Sequence, residues 1–286
     1  SNTENLPISN LRTKLGNLNF NHPLGIAAGF DKNVETINVI NKLGISHMEF
    51  GTITPHPQPG NSKPRIFRLS EDNAIINRLG FPSKGIDSAI KNLRNNNNTI
   101  PIGLNIGCNK NSNDFKNDYL TSTRRLGPFA EWITVNISSP NTPGLRDLEK
   151  KNNLDRLVKK ISFFKRKNSI NTPVFLKIDP DVSRQQLGDI ADIILSSRID
   201  GVVISNTSIY RSNELISKHA NEKGGISGLP IKKISNRLLK DFYVLTNGKI
   251  PLIGVGGISN GKDAYERILN GASLIQFYTS LIYNCL

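Results

Sequence analysis

The chain has 286 residues, of which 37% are hydrophobic and 21% are charged, and its formal net charge is +14. The hydrophobic and charged fractions are typical of an ordinary soluble globular protein, whereas the basic charge suits nucleic acid, an anionic membrane surface, anionic ligands or simply a solvated basic surface. The length suits one α/β barrel, since such barrels run to about 250 residues as a single unit. No apolar run approaches the ~20 residues that span a bilayer, and the wide separation of Cys108 and Cys285 argues against a disulfide framework or a cysteine-based zinc site.

Eight short apolar runs have the pattern of parallel strands whose two faces are both buried. In chain order they are Leu24–Ala28, His47–Thr52, Ile100–Ile106, Trp132–Ile137, Pro173–Ile178, Gly201–Ser205, Ile250–Val255 and Ser273–Tyr278. Leu18–Phe20, which precedes the first run, is expected to form a small N-terminal β-hairpin that closes the bottom of a barrel.

Segments of helical period lie between most of these runs. In the first connection, the shared face of Val34, Ile37, Ile40 and Leu43 predicts a helix that ends at Gly44. The same spacing predicts later helices around Ile86–Leu93, Leu154–Ile161, Leu187–Leu195, Ile234–Phe242 and Ala264–Leu269.

The second connection, Thr54–Lys84, has no clear helical pattern. Its first part, Thr54–Arg65, carries four prolines. Long loops without secondary structure are usually functional or disordered. We therefore predict a stiffened loop that lies over the barrel mouth.

The alternation of strands and helices predicts a parallel sheet, and eight such units favour a closed barrel. We predict an α/β fold with a single (β/α)8 TIM barrel domain over residues 1–286. The alternative is a doubly wound sheet, but Gly25 and Gly29 do not fit its usual Gly-x-Gly-x-x-Gly. The chain begins in polar sequence at Ser1 and stops at Leu286 within a possible helix, so we expect both ends to be truncated.

Polar residues occur where the predicted strands end, which is the active-site end of this architecture. Asn105, Asn136 and Asn206 lie at the same end of three different strands, so we expect them to form a ring of donors and acceptors around the mouth. Lys177 lies within an apolar strand, and a lysine is almost never fully buried without a partner. This pattern predicts an anion or an electron-rich ligand beside Lys177.

The end of the seventh strand suggests a phosphate site. Gly256 and Gly257 leave backbone N–H groups free to approach an anion, and Ser259 is a plausible cap of the following helix. Ser183 is likewise a plausible N-cap. The histidines show no spacing typical of metal ligands, so we predict no metal.

Seven stretches together resemble the dihydroorotate dehydrogenase family, specifically its membrane-associated, quinone-using class. They are Ala27–Lys32, Gly51–Pro55, Pro57–Asn61, Asn77–Phe81, Asn136–Arg146, Gly224–Gly228 and Gly254–Ile258. The resemblance covers the chain from about residue 20 to its end. It implies oxidation of dihydroorotate to orotate, the redox step of pyrimidine synthesis, with flavin mononucleotide (FMN) as cofactor.

The resemblance also implies roles for individual residues. FMN contacts are expected from Ala28, Gly29, Phe30, Asp31, Lys32, Thr52, Asn105, Asn136, Lys177, Ser205, Gly228, Gly257, Tyr278 and Thr279. Substrate contacts are expected from Lys32, Asn77, Arg78, Leu79, Gly80, Phe81, Asn136, Asn141, Asn206 and Thr207. Ser139 matches the catalytic base, and Lys177 is expected to stabilise negative charge on the reduced flavin.

Ser139 also points to a quinone as electron acceptor, because the soluble classes of the family place cysteine there. Arg68 and Tyr278 match positions near the quinone tunnel of the family. The family's N-terminal helical extension, which forms that tunnel and rests on the membrane, has no match in this sequence. The resemblance implies peripheral association with a bacterial inner membrane on its cytoplasmic side, or alternatively with the mitochondrial inner membrane.

Two other functions compete with this interpretation. A tRNA dihydrouridine synthase is another FMN barrel and suits a basic chain, but it needs a cysteine acid, for which Cys108 is the candidate. No aromatic residues are interleaved with the basic ones, so we predict no nucleic-acid partner. A non-catalytic basic binding module would leave Lys177 and the strand-end asparagines unexplained.

Overall fold

The computed structural model describes residues 8–38, 40–95, 100–142 and 144–284. Within these ranges, eight parallel strands close into a barrel. The strands of the chain are β1 (Thr13–Leu15), β2 (Leu18–Phe20), β3 (Leu24–Ile26), β4 (His47–Ile53), β5 (Ile66–Leu69), β6 (Ala74–Asn77), β7 (Ile102–Ile106), β8 (Trp132–Asn136), β9 (Val174–Ile178), β10 (Gly201–Ile204), β11 (Gly225–Gly228), β12 (Leu252–Val255) and β13 (Leu274–Phe277). The barrel runs through β3, β4, β7, β8, β9, β10, β12 and β13 and closes from β13 back to β3.

All eight predicted barrel strands are confirmed, with ends that differ by one or two residues. Their side chains are almost entirely buried, because one face packs into the barrel and the other packs against helices. The predicted hairpin is also confirmed, since β1 and β2 pair antiparallel. Leu15 and Phe20 of this hairpin pack with Trp132, Phe175 and Leu274, which closes one end of the barrel interior.

Helices cover the outside of the barrel. They are α1 (Gly85–Arg94), α2 (Phe115–Leu126), α3 (Lys151–Lys167), α4 (Arg184–Leu195), α5 (Lys232–Leu245), α6 (Gly261–Leu269) and α7 (Thr279–Asn284). Short 3-10 segments occur at Ile8–Leu11, Ile40–Leu43, Ser70–Asp72, Gly127–Phe129, Leu145–Glu149 and Leu229–Ile231. In the described ranges no helix combines the length and the apolar character needed to cross a membrane.

The prediction of a helix in the first connection, between β3 and β4, is wrong. Among the described residues of this connection, 27–38 and 40–46, only Ile40–Leu43 is helical, as a short 3-10 segment. Val34 has φ 63°, outside the right-handed helical region, and the Asp31 carboxylate accepts hydrogen bonds from the backbone N–H groups of Asn33 and Thr36. Val34, Ile37 and Ile40 are nevertheless buried and Leu43 packs half-buried against them, so the spacing identified core residues without identifying their backbone conformation.

The second connection is not a structureless loop. It contains β5 and β6, which pair antiparallel, and β11 from a later connection adds to β6. The resulting three-stranded sheet has its own apolar cluster, which includes Phe67, Leu69 and Ile226. We call it the roof sheet, because residues from all three of its strands line a cavity at the carboxyl end of the barrel.

The capping predictions have different outcomes. Ser183 is the N-cap of α4, as predicted, and it also forms a capping box with Gln186. Ser259 does not cap α6, because Asn260 accepts the hydrogen bond from the backbone N–H of Asp263. Ser259 instead donates to the Asp263 carboxylate. Helix α2, which no apolar pattern had indicated, begins after an Asp114 cap.

Candidate active site

A cavity of about 480 Å³ lies at the carboxyl ends of the barrel strands, under the roof sheet. Its floor and walls come from strand ends on the barrel. The barrel residues that line it include Ala28, Gly29, Thr52, Asn136, Ser139, Lys177, Ser205, Asn206, Val255, Gly257, Tyr278 and Thr279. The roof sheet adds Ile66, Arg68, Ile75, Asn77, Ser227 and Gly228.

The predicted ring of amides is present as one hydrogen-bonded network. Asn105 Oδ1 accepts hydrogen bonds from Thr52 Oγ1 at 2.7 Å and from Asn136 Nδ2 at 3.2 Å. Asn136 Oδ1 in turn accepts from Asn206 Nδ2 at 3.0 Å, and Asn206 also donates to Ser138 Oγ at 2.9 Å. Four barrel strand ends therefore share one continuous set of bonds, and Asn105 forms its buried lower layer.

Beneath the network lies a buried carboxylate, Glu49, that the sequence patterns did not identify as a site residue. Glu49, on β4, is fully buried in the barrel interior, and its Oε1 accepts from Asn105 Nδ2 at 2.8 Å. Its Oε2 accepts from Thr134 Oγ1 at 3.1 Å, from Gln276 Nε2 at 3.3 Å and from Trp132 Nε1 at 3.4 Å. The available sequence signal was a charged residue inside a predicted buried strand, since a buried carboxylate requires partners.

Lys177, on β9, points into the cavity and is 5% exposed. It lies beside Asn136 in the register of the paired strands β8 and β9. Burial lowers the pKa of the Lys177 ammonium, and the negative charge of Glu49 opposes this effect. Lys177 thus places a buried cation at the level of the amide network, with the buried Glu49 carboxylate as its counter-charge.

Ser139 is buried at the edge of the same cavity, on the segment that follows β8. Its Oγ accepts a hydrogen bond from the backbone N–H of Asn141 at 3.3 Å. The Asn141 side chain donates to Asn77 Oδ1 on the roof sheet at 3.3 Å, and Asn61 Nδ2 donates to the Asn141 carbonyl at 3.1 Å. Ser139 therefore lies where the barrel segment meets the roof. Pro143 of this motif is outside the described residues.

Behind the Ser139 segment lies an ion-pair cluster that sequence reasoning missed. Arg146 Nε lies 2.7 Å from the Asp179 carboxylate and also donates to the Ser138 carbonyl, while its other nitrogens reach Asp181 and the Thr207 carbonyl. Arg146 thereby connects the segments that follow β8, β9 and β10. The cluster forms only because the barrel brings these three strand ends together.

Glu149 packs against this cluster with its Oε1 accepting from the Asp179 backbone N–H at 2.9 Å. Burial raises the pKa of the Glu149 carboxyl to about 8, and the neighbouring Asp179 charge adds to the effect. Burial also raises the pKa of Asp179, while Arg146 opposes that shift. Glu149 is consequently the member of the cluster that is most readily protonated.

The predicted phosphate end of the cavity is lined by Gly256, Gly257 and Ser259. Gly257 has φ 70°, and a Cβ at this position would lie 2.6 Å from the Cα of Lys232, so glycine is required on both conformational and packing grounds. Thr279 Oγ1 and Ser227 Oγ, which also line the cavity, are 2.8 Å apart. Two hydroxyl groups and the glycine turn therefore line the same cavity.

Most of the predicted site residues line the cavity, and four do not. Phe30 is 40% exposed and packs edge-on against Tyr278. The Asp31 carboxylate is occupied by its own loop, where Thr36 Oγ1 also donates to it. Arg78 pairs with Glu222 at 2.7 Å and stacks over Phe67 on the outer side of the roof sheet. Asn105 lies below the cavity floor rather than on its surface.

Lys32, Leu79, Gly80, Phe81 and Thr207 line the cavity, as do the two quinone candidates, Arg68 and Tyr278. The Lys32 ammonium donates to the Gly29 carbonyl, and burial lowers its pKa.

Cys108, the candidate acid of the competing RNA-modifying function, is fully buried and is not among the residues that line the cavity. Burial raises the pKa of its thiol to about 12. A thiol in this position has no access to a ligand in the cavity, which removes the residue on which that alternative depended.

The sequence profile of the dihydroorotate dehydrogenase family matches residues 10–285. A quinone-dependent dihydroorotate dehydrogenase from Parvibaculum lavamentivorans is 47% identical over 279 residues, which are 97% of this chain and 79% of the relative. The mitochondrial quinone-dependent enzyme of Mus musculus is 44% identical over 276 residues, covering 92% of this chain and 69% of the relative. A dihydroorotate dehydrogenase (DHODH) from Eimeria tenella, crystallised with ferulenol, superposes on this chain with a TM-score of 0.93 at 38% identity. The match covers 99% of this chain and 82% of that one.

Proposed function

The chain belongs to the dihydroorotate dehydrogenase family, and from that premise we propose that it oxidises dihydroorotate to orotate, the redox step of pyrimidine synthesis, with a quinone as final electron acceptor. The observation that supports this most directly is the presence of Ser139, Lys177 and the amide network around one cavity. A hydroxyl, a buried cation and paired amides are the groups that a small anionic ring and a redox cofactor require.

We propose FMN as the cofactor, because the cavity residues suit its chemistry. The glycine turn at Gly256 and Gly257 offers backbone N–H groups to a phosphate. Lys177 offers a buried positive charge to a ring that becomes electron-rich. When bound, FMN supplies the hydride acceptor.

The substrate is an anionic pyrimidine ring, and the amides of the cavity match its alternating N–H and C=O groups. Asn136 and Asn206 each carry both donors and an acceptor at the floor, and Asn77 and Asn141 do so at the roof. Lys32 lies at the same cavity and offsets the carboxylate of the ring.

Ser139 is proposed as the group that removes the proton from the substrate carbon. A serine hydroxyl is a weak base, so its position and its hydrogen-bonded neighbours decide its efficiency. Residues of the roof sheet line the same cavity as Ser139, and the bond from the Asn141 N–H orients Ser139 Oγ.

Quinone access and membrane association are further parts of the proposal. Arg68, on β5, and Tyr278, directly after β13, both line the cavity. We propose that a quinone approaches there and that the protein associates peripherally with a bacterial inner membrane from the cytoplasmic side, the mitochondrial inner membrane being the alternative.

The absorbance spectrum of the purified protein tests this function. A flavin spectrum that bleaches on anaerobic addition of dihydroorotate, and that returns on addition of a quinone, is expected. A colourless protein that also fails to bind added FMN would contradict the proposal, as would a flavoprotein that dihydroorotate does not reduce.

A further inference from the structure

Arg267, on α6, is a buried cation that pairs with no carboxylate of the described residues. Its side chain is 1% exposed, and in the described ranges no carboxylate lies within ion-pair distance of its guanidinium. Its Nη1 donates to Ser235 Oγ at 2.9 Å, and its Nη2 donates to the carbonyls of Gly256 and Lys232. Neutral oxygens therefore accept three hydrogen bonds from the guanidinium, but they do not balance its positive charge.

Burial of an unbalanced charge is costly unless an opposite charge lies nearby. Of the two acidic residues whose charges act on Arg267, Glu266 and Asp263, the latter already pairs with Lys232 and accepts two bonds from Ser259. Burial lowers the pKa of the Arg267 guanidinium to about 10, with Glu266 and Asp263 only partly opposing that shift. The acidic residues around Arg267 thus do not fully neutralise its charge, and a further negative charge nearby would stabilise it.

The geometry indicates where that charge belongs. In a planar trans peptide, the C=O and the N–H of one unit point in opposite directions. Because the Gly256 carbonyl points outward to Arg267, the Gly257 N–H of the same unit points toward the other side, where both glycines line the cavity. A carbonyl that accepts from a guanidinium also polarises the N–H of its own peptide.

A second set of bonds leads from Arg267 to the cavity wall. Ser205, which lines the cavity, donates to Ser235 Oγ at 3.2 Å, and Ser235 accepts from Arg267. The guanidinium therefore supports two neighbouring wall positions from behind, Gly257 and Ser205, without facing the cavity itself.

We propose that Arg267 is a positioning residue for the cofactor phosphate. From behind the glycine turn, Arg267 orients the Gly257 N–H toward that phosphate and supplies the positive charge that balances it. The protein therefore binds FMN in preference to riboflavin, which has no phosphate. This inference rests on the proposed function, since it takes the anion to be the phosphate of a bound flavin.

The test compares FMN and riboflavin binding to flavin-free protein, followed by quenching of flavin fluorescence. Arg267→Met should lower FMN affinity by about tenfold or more, while riboflavin affinity changes by less than about twofold. Arg267→Lys retains the charge and should keep most of the preference for FMN. Arg237→Met removes an exposed cation from α5 and serves as the control with the same change in net charge.

Equal losses of FMN and riboflavin affinity in Arg267→Met, or no loss of either, would overturn the assignment, because a merely structural role affects both flavins alike. Thermal unfolding of the flavin-free variants checks that they fold. If Arg267→Met does not fold, Arg267→Gln, which can still donate to Gly256 and Ser235, provides the same comparison. Failure of the unaltered protein to bind either flavin would overturn the proposed function itself rather than the role of Arg267.

Discussion

Glu49 and Asn105, on the neighbouring strands β4 and β7, are joined by a 2.8 Å hydrogen bond that sets the direction of the amide network above it. A carboxylate only accepts, so Asn105 must direct its Nδ2 downward and its Oδ1 upward. Thr52 and Asn136 then donate to that oxygen, and Asn136 presents its own oxygen to Asn206. The donor and acceptor pattern at the cavity floor therefore originates inside the barrel.

Glu49→Gln should weaken both the fold and the site. A glutamine can donate as well as accept, so the direction of Asn105 is no longer imposed, and Lys177 loses its counter-charge. We expect the unfolding free energy of the flavin-free protein to fall by about 2 kcal/mol, measured by urea denaturation, together with weaker flavin retention. Glu71→Gln changes an exposed glutamate and is the control. Unchanged stability and flavin content would contradict this role of Glu49.

Ser139→Ala should keep the bound flavin but lose most of its reduction by dihydroorotate at neutral pH. Removal of a general base typically costs a factor of about 10²–10⁴ in rate. Rapid-mixing absorbance measurements of flavin bleaching give the rate directly. Ser70→Ala changes an exposed residue between β5 and β6 of the roof sheet, and its flavin should bleach at the rate of the unaltered protein. A Ser139→Ala rate equal to that of the control would refute the assigned role.

Lys177→Met should reduce flavin retention and slow flavin reduction by about 100-fold, because the buried charge that stabilises the electron-rich ring is lost. It also leaves the buried Glu49 carboxylate without its cation. The flavin-to-protein ratio after purification and the bleaching rate at saturating substrate measure the two effects separately. Lys167→Met, on the exposed end of α3, is the matched control. A fully flavinated Lys177→Met protein with normal rates would argue against this assignment.

Glu149→Gln should alter how stability depends on pH. The pKa of the Glu149 carboxyl is about 8 in the folded protein, compared with an ordinary value of 4.5. Between these values the folded protein binds more protons than the unfolded chain, so its unfolding free energy falls as pH rises, by at most about 1.4 kcal/mol per pH unit for one group.

Glutamine keeps the shape of the neutral acid and does not titrate. The difference in unfolding free energy between Glu149→Gln and the unaltered protein should therefore be small at pH 5 and should grow in favour of the variant toward pH 8. Urea denaturation at a series of pH values measures it. Parallel pH profiles for the two proteins would show that Glu149 does not carry a raised pKa.

The sequence was most informative where a pattern repeats along the chain. Buried parallel strands require continuous apolar runs, and eight such runs identified eight strands within one or two residues. The pattern failed in the first connection, since apolar spacing reports burial, whereas the Asp31 side chain and the positive φ of Val34 determine the backbone. It also failed for the roof sheet, because β6 pairs with β11, about 150 residues further along the chain.

By itself, the sequence determined the barrel and the residue types at its mouth, because strand and helix patterns are local and the carboxyl ends of parallel strands must share one edge. Only the tertiary structure decided the directions of the amide bonds, the position of Glu49 beneath them, the Arg146 cluster and the burial of Arg267 behind the glycine turn. These features depend on contacts between distant segments, and the stability of a buried charge depends on the groups that surround it in space.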